Sequence, residues 1–178
     1  MKMIVAADKG WGIGKEGGLL VHIPGDMEFF KTQTMGNVVV MGRKTFESFP
    51  GKKALPGRTN IVLTGSSCWQ EDGALVVHSK EELEQLLKNY DPDHIYIIGG
   101  GQVYREYLEQ CDTVYVTHIE AGYEADTWFP DLEADERFIM EETLFTGEWK
   151  GVGYRICRWK NTAVRTPESR QVNLRKQR

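Results

Sequence analysis

Short runs of apolar residues recur along the chain and alternate with segments that have helical periodicity. Several runs are β-branched and apolar at consecutive positions, which is typical of central strands in a parallel sheet covered on both faces. The pattern predicts six strands before the C-terminal region: Ile4–Ala7, Val38–Met41, Thr59–Leu63, Ala74–Val77, Ile95–Ile98 and Thr113–Ile119. The alternation of such strands with helices indicates an α/β fold.

Three helices are predicted between these strands from the residues at their ends. Ser79 and Glu82 form a capping box, in which each side chain can satisfy a backbone N–H of the first turn. Pro24 and Asp26 suit a first helical turn, since proline is tolerated there and a carboxylate complements the N-terminal dipole. The predicted helices run from Pro24 to about Thr34, over Lys80–Asn89 and over Gln102–Glu109.

The last third of the chain has a different pattern. Phe138–Leu144 and Gly153–Trp159 read as two long strands separated by a polar turn that contains glycine, which indicates an antiparallel hairpin with its aromatic residues in the core. Residues 160–178 contain six basic residues and one acidic residue. We expect one folded domain over residues 1–159 and a basic, flexible tail over 160–178; a basic arm that binds a partner is the alternative.

Composition limits the classes of function. A chain of 178 residues with 40% apolar and 27% charged residues is typical of a single globular domain. The net charge of −4 gives no electrostatic reason to expect nucleic acid or an anionic membrane as a partner. The three cysteines and four histidines show neither a disulfide framework nor metal-ligand spacing, so no metal is expected. No secretory signal or membrane span is apparent, and a cytoplasmic protein is expected.

The first chemical signal is the glycine run Gly99–Gly101, between a buried strand ending at Ile98 and a predicted helix. Glycine lets the backbone approach a phosphate closely, and N–H groups at the start of a helix favour anions. A turn needed only for tight packing has the same composition, so this run alone does not decide the function. It lacks the GxxxxGK[ST] pattern, which argues against phosphoryl transfer from ATP.

A second turn of the same kind follows Val38–Met41, where Gly42 precedes Arg43, Lys44 and Thr45. The planar guanidinium of Arg43 suits the 2′-phosphate of NADPH, although two solvated surface cations would also fit the sequence. Ligands bind α/β sheets at the carboxyl ends of strands, and a dinucleotide needs two points of phosphate contact. Two such turns in one small sheet therefore favour a dinucleotide.

Asp26 and Phe30 are the main candidates for contacting a flat substrate. They are four residues apart and so lie on one face of the first helix. Taken alone, Asp26 fits a partner for the helix dipole better, and only the combination with the two dinucleotide turns favours a substrate contact. Thr117 lies in an apolar strand, where a buried hydroxyl needs a hydrogen-bond partner, and Asp26 is a candidate. Arg58 follows a Pro-Gly turn and could pair with a substrate carboxylate or remain an exposed surface arginine.

Taken in order, these segments closely resemble dihydrofolate reductase of the single-chain bacterial type, from Met3 to about Trp159. The resemblance rests on eight motifs: Val5-Ala6-Ala7, Ile13-Gly14, Pro24-x-Asp26-x-x-x-Phe30, Val40-Met41-Gly42-Arg43-Lys44-Thr45, Leu55-Pro56-Gly57-Arg58, Ile98-Gly99-Gly100-Gly101-x-Val103-Tyr104, Thr117-His118-Ile119 and Asp126-Thr127-x-Phe129-Pro130. It implies a mostly parallel eight-stranded sheet with an antiparallel C-terminal strand and four flanking helices.

The resemblance also implies the activity, which is reduction of 7,8-dihydrofolate to 5,6,7,8-tetrahydrofolate by a monomer that uses NADPH. Asp26 would bind the 2-amino group and N3 of the pterin and favour, through ordered water, the protonated N5 that precedes hydride transfer to C6. Thr117 would bond this aspartate. Carried over position by position, the substrate residues are Val5, Ala7, Asp26, Phe30, Arg58, Ile98 and Thr117. The cofactor residues are Ala6, Ile13, Gly14, Leu19, Gly42, Arg43, Lys44, Thr45, Thr64, Gly99, Gly100, Gly101, Gln102, Val103 and Tyr104. The family's cis Gly–Gly bond falls at Gly99–Gly100.

Two positions depart from the family pattern. Leu19-Leu20-Val21 stands where the family usually has Leu-Pro-Trp, so the water network at the pterin edge, the loop's mobility and antifolate sensitivity are expected to differ. Gln102 stands where many relatives carry a cation near the adenosine phosphates, and a lower NADPH affinity is expected.

Two other functions are compatible with the same architecture. A pyrimidine reductase of riboflavin synthesis would keep the fold and change the substrate, but it would lack the helix carboxylate at the position of Asp26. A noncatalytic protein that binds NADPH would have no evident use for Asp26, Thr117 or Arg58.

Overall fold

The computed structural model of the protein describes residues 1–164. The strands in this part of the chain are β1 (Lys2–Ala7), β2 (Gly12–Lys15), β3 (Gly18–Leu19), β4 (Val38–Gly42), β5 (Thr59–Leu63), β6 (Ala74–Val77), β7 (Ile95–Gly99), β8 (Thr113–Ile119), β9 (Thr127–Trp128), β10 (Phe138–Trp149) and β11 (Val152–Asn161). The α-helices are α1 (Pro24–Thr34), α2 (Arg43–Glu47), α3 (Lys80–Leu87) and α4 (Gly101–Tyr107).

Eight strands form the main sheet in the order β10-β11-β8-β1-β7-β4-β5-β6. The pairs from β8 to β6 are parallel, whereas β11 is antiparallel to both of its neighbours. The predicted fold class is therefore confirmed, including the single antiparallel strand near the C-terminus. None of the helices among the described residues is both long and apolar enough to cross a membrane.

The central strands bury both faces, as their continuous apolar runs predicted. In β4, Val38 and Val40 belong to one buried cluster while Val39 and Met41 belong to another, because successive side chains of a strand point to opposite faces. The first cluster includes Leu83 of α3 and residues of α4, and the second packs against α1 and α2. The sheet is thus covered by helices on both sides.

The predicted boundaries hold within a few residues for most elements. Ser79 Oγ accepts a hydrogen bond of 3.1 Å from the N–H of Glu82, so the cap that opens α3 is confirmed. The helix ends at Leu87 instead of Asn89. A second sheet, with the order β3-β2-β9, was not predicted. Its strands have only two to four residues and include glycines, so they carry too little periodicity to be recognised.

The C-terminal hairpin corrects two expectations. Phe138, Tyr154 and Trp159 of the two predicted strands are buried in the core, as expected. Phe145 and Trp149, which lie between the predicted strands, are exposed by 51% and 37% because β10 is the edge strand of the sheet. Strand β11 continues to Asn161, whose side chain is buried and whose N–H donates to the carbonyl of Asp112 at 2.9 Å. The folded domain therefore extends past the expected boundary at residue 159, and residues 165–178 of the predicted tail lie outside the described residues.

Candidate active site

A cleft opens in the sheet between β1 and β7. These strands pair only through Lys2–Met3 and Tyr96–Ile97, and they diverge toward their carboxyl ends. Val5, Ala6 and Ile98 line the resulting cavity, and Tyr104 of α4 reaches into the gap, where its hydroxyl donates to the carbonyl of Ile4 at 2.7 Å. The carboxyl edge of a parallel sheet is where α/β proteins bind their ligands.

Two adjoining cavities bring all of the predicted cofactor residues together. Lys44, Thr45, Gly100 and Gly101 line both cavities. The first cavity is also lined by Ala6, Ile13, Gly14, Leu19, Gly99 and Tyr104. The second is also lined by Gly42, Arg43, Thr64, Gln102 and Val103.

The glycine turn leaves no room for side chains. A Cβ on Gly99 or Gly100 would lie 3.1 or 3.2 Å from Thr45 Oγ1, and a Cβ on Gly101 would lie 2.7 Å from a methyl of Thr127. Gly99 also has a φ of 138°, which favours glycine, and the Gly99–Gly100 peptide bond is cis. The bare backbone of this turn forms a wall that a phosphate group could approach closely.

Asp26 projects from the first turn of α1 toward the centre of the sheet. Its Oδ1 accepts a hydrogen bond of 2.6 Å from the hydroxyl of Thr117 in β8. Thr117 pairs in register with Ala6 of β1, which lines the first cavity. The carboxylate is therefore held against β8, next to the strand that lines the first cavity.

Burial shifts the pKa of the Asp26 carboxyl group. Desolvation raises the pKa of Asp26 above its ordinary value, and the hydrogen bond from Thr117 partly opposes that rise. Burial also raises the pKa of Tyr104, and the charge of Asp26 adds to the effect, which shows that the two side chains share one electrostatic environment. Asp26 is thus a half-buried acid without a cationic partner recorded among residues 1–164.

Phe30 and Arg58 lie on the α1 side of the cleft. Phe30 is half-buried against the cluster that contains Ile98. Arg58 Nη1 donates to Thr34 Oγ1 at 3.1 Å, its Nε donates to the carbonyl of Pro56 at 3.0 Å, and burial lowers its pKa. These bonds fix the guanidinium between the end of α1 and the start of β5.

Of the seven predicted substrate positions, Val5 and Ile98 line the first of the two cavities described above, whereas Ala7, Asp26, Phe30, Arg58 and Thr117 line neither. Ala7 is almost completely buried, with 1% exposure, and belongs to the core cluster that contains Trp11. In β1 its side chain points to the same face as Val5, but Ala7 lies at the end of the strand and is buried in the core.

Ten residues that line the cavities were not predicted from the sequence: Lys15, Gly17, Gly18, Ser48, Leu63, Gly65, Ser66, Arg105, Glu106 and Thr127. Two of these residues could have been predicted from the sequence. Thr127 belongs to a motif on which the family resemblance rests, and Ser48 follows Thr45 by about one helical turn. Lys15 and Gly18 lie in the small unpredicted sheet, and Gly17 lies in the turn between its strands β2 and β3. The position of this sheet could not be inferred without the contacts that hold it over the cleft, such as the bond of 2.8 Å from Glu16 N–H to Asp126.

A parallel sheet that opens at the carboxyl ends of its strands, lined by two glycine turns, defines an α/β enzyme of the nucleotide-binding kind. The family model described as dihydrofolate reductase matches residues 1–160. The chain belongs to the dihydrofolate reductase family.

Individual relatives agree with this assignment. The chain is 39% identical over 130 residues to dihydrofolate reductase of Staphylococcus aureus, covering 73% of this chain and 77% of the relative. It is 44% identical over 119 residues to dihydrofolate reductase type 3 of Salmonella typhimurium, covering 67% and 71%. Among solved structures, it is similar to dihydrofolate reductase from Enterococcus faecalis complexed with NADP(H) and RAB-propyl, with a TM-score of 0.79 and 36% identity, over 89% of this chain and 94% of that one.

Proposed function

We propose that the protein reduces 7,8-dihydrofolate to 5,6,7,8-tetrahydrofolate with NADPH, and that Asp26 assists protonation of N5. The observation that carries the proposal is the position of Asp26, a half-buried carboxyl group held by Thr117 beside the cavity wall at Ala6. Family membership supports the reaction. A buried acid beside a cavity is also typical of a functional site, which supports a role for Asp26 in it.

The residues present suit NADPH. Gly99–Gly101 present bare backbone to the cavities, which a phosphate can approach closely, and Arg43, Lys44 and Thr64 line the second cavity. Arg43 would bind the 2′-phosphate, because a guanidinium presents two parallel N–H donors to phosphate oxygens. When bound, NADPH supplies the hydride. The solved relative complexed with NADP(H) supports this choice of cofactor.

The substrate would lie between α1 and the open strands. Phe30 would pack on its rings, and Arg58 would hold the α-carboxylate of the glutamate, since its guanidinium is already fixed by Thr34 and Pro56. The carbonyls of Val5 and Ile98 would face the 4-position of the pterin. Much of the protein's contribution is then positioning, because hydride transfer needs the reacting carbons in close contact without intervening water.

Asp26 would act on the protonation of the pterin. Its carboxylate would bind the 2-amino group and N3, and a negative charge there stabilises the cation formed when N5 takes a proton through ordered water. Because burial raises the pKa of Asp26, the group can remain protonated to a higher pH than an exposed aspartate. A higher pKa makes it a better match to proton transfer near neutral pH.

An assay with two substrates tests the proposal. Oxidation of NADPH is followed optically with 7,8-dihydrofolate and, separately, with the pyrimidine precursor of riboflavin. We expect turnover only with dihydrofolate, because the pyrimidine reductases lack a carboxylate at the position of Asp26. Turnover of the pyrimidine alone would overturn the proposal in favour of the reductase alternative. NADPH binding without turnover of either substrate would identify a noncatalytic binding protein.

A further inference from the structure

We propose that Arg105 of α4 is an additional cationic contact for the dinucleotide and that it meets the pyrophosphate beside Gly101. The inference rests on the proposed function, since it requires NADPH in the two cavities. Arg105 lines the second cavity together with Arg43 and Lys44. The family resemblance assigned no role to Arg105.

The geometry of α4 directs Arg105 toward the glycine turn. Arg105 follows Gly101 by four residues, so both lie on one helical face, and side chains of a helix lean toward its N-terminus. Nη1 of Arg105 lies 3.4 Å from the position that a Cβ on Gly101 would take. The guanidinium therefore lies beside Gly101, whose backbone lines both cavities.

The guanidinium is available for a ligand. Within residues 1–164, Arg105 forms neither an ion pair nor a side-chain hydrogen bond with another residue. Arg43, in contrast, has its Nε 3.7 Å from Glu47 Oε1. The other charged residues that line this cavity are two cations, Arg43 and Lys44, and one acid, Glu106. An unpaired arginine in a wall where cations outnumber acids is suited to an anionic ligand of more than one charge.

Arg105 also compensates for the departure from the family pattern at Gln102. The cation expected at position 102 is replaced by a neutral amide, whose Nε2 donates to Glu106 Oε1 at 2.9 Å. Arg105 lies three residues further along α4, on the same cavity wall, and restores the missing positive charge there. We therefore infer that the loss of the cation at position 102 does not lower the affinity for the cofactor's phosphates by itself.

Titration of the protein's tryptophan fluorescence with NADPH and with NADH tests this assignment. The pyrophosphate is common to both dinucleotides, so R105Q is expected to raise both dissociation constants by the same factor, about tenfold for one lost charged contact. The matched control is K88Q, which removes the same charge at the C-terminal end of α3, away from both cavities. We expect K88Q to bind both dinucleotides as the unchanged protein does.

The outcomes separate the possible roles of Arg105. Unchanged affinity of R105Q for both dinucleotides, or a loss equal to that of K88Q, would overturn the proposal. A loss confined to NADPH would also overturn it, because that result places Arg105 at the 2′-phosphate. In the double variant R105Q/Q102R, the cation returns to the same wall, and recovery of both affinities would support the proposal. If the protein without substitutions bound neither NADPH nor NADH, the proposed function itself would be refuted.

Discussion

The hydroxyl of Thr117 donates a hydrogen bond of 2.6 Å to the carboxylate of Asp26, across 91 positions of the chain. This bond joins α1 to β8 and holds an acid beside the strand that lines the cleft. Burial and the hydrogen bond shift the pKa of Asp26 in opposite directions, and burial has the larger effect. The balance between the two determines the pH at which the acid carries its charge.

Substitution of Asp26 by asparagine should damage turnover much more than cofactor binding. We expect D26N to fold, to bind NADPH normally and to lose about hundredfold or more in kcat at neutral pH, the usual contribution of a positioned acid or base. Activity should partly recover at low pH, where solvent protonates the substrate. Steady-state kinetics between acid and neutral pH, with dissociation constants for NADPH, provide the measurement. Near-normal activity at neutral pH would refute the role of Asp26.

Substitution of Thr117 by valine should shift the pH dependence of activity upward. The hydrogen bond from Thr117 lowers the pKa of Asp26, so its loss leaves the desolvation effect unopposed and raises that pKa further. The pH profile of kcat/KM with dihydrofolate should therefore move to higher pH. T117S retains the hydroxyl and serves as the control. Identical profiles for T117V and T117S would show that the bond does not tune Asp26.

D26N should also change how stability depends on pH. Because the folded-state pKa of Asp26 is raised, the folded protein holds this proton more tightly than the unfolded chain, and stability falls as pH rises from the ordinary aspartate value through the raised pKa. The unfavourable contribution is fully present above the folded pKa. D26N should therefore gain in free energy of unfolding at neutral pH, and the gain should disappear in acid. Denaturant unfolding at both pH values measures it; a constant difference would contradict the burial effect.

Arg43 should discriminate between the two dinucleotides. R43Q is expected to weaken the affinity for NADPH by about tenfold or more, because a charged contact to the 2′-phosphate is lost. The affinity for NADH should change little. The side chain is 39% exposed and pairs weakly with Glu47, so its removal should not disturb the fold. Dissociation constants for both dinucleotides check this expectation. Equal losses would remove the assignment of Arg43 to the 2′-phosphate.

Gly25 should be intolerant of a side chain because of Tyr154. A Cβ on Gly25 would coincide with the hydroxyl of Tyr154 and lie 3.2 Å from its ring carbon Cζ. Alanine normally stabilises a helix by about 1 kcal/mol relative to glycine. Here the overlap should outweigh that gain, with a net loss of about 1–3 kcal/mol, as for other overpacked sites.

The double variant G25A/Y154F tests the cause of this loss. Removal of the hydroxyl should recover much of the stability and return Asp26, which follows Gly25 in α1, to its place beside Thr117. Y154F alone is the control for any contribution of the hydroxyl itself. Denaturant unfolding of the three variants gives the comparison. No recovery in the double variant would show that the contact between Gly25 and Tyr154 is not the source of the loss.

The sequence alone determined the sheet, the main helices and much of the site, because these depend on local signals. Central strands such as β4 are apolar at every position, and the start of α3 is encoded by Ser79 and Glu82 within one turn. Glycine turns that follow strands are equally local. With the further positions that the family resemblance implied, all fifteen predicted cofactor positions line the two cavities. The pairing of Thr117 with Asp26 was also anticipated, since a buried hydroxyl must find a partner.

Only the tertiary structure decided which side chains reach the cleft and how they are charged. The burial that raises the pKa of Asp26 comes from elements distant in sequence. The small sheet of β2, β3 and β9 is held by long-range contacts, and the fold of α4 brings the Arg105 side chain beside Gly101. Burial, electrostatic environment and proximity are properties of the packed chain, and no local pattern of residues encodes them.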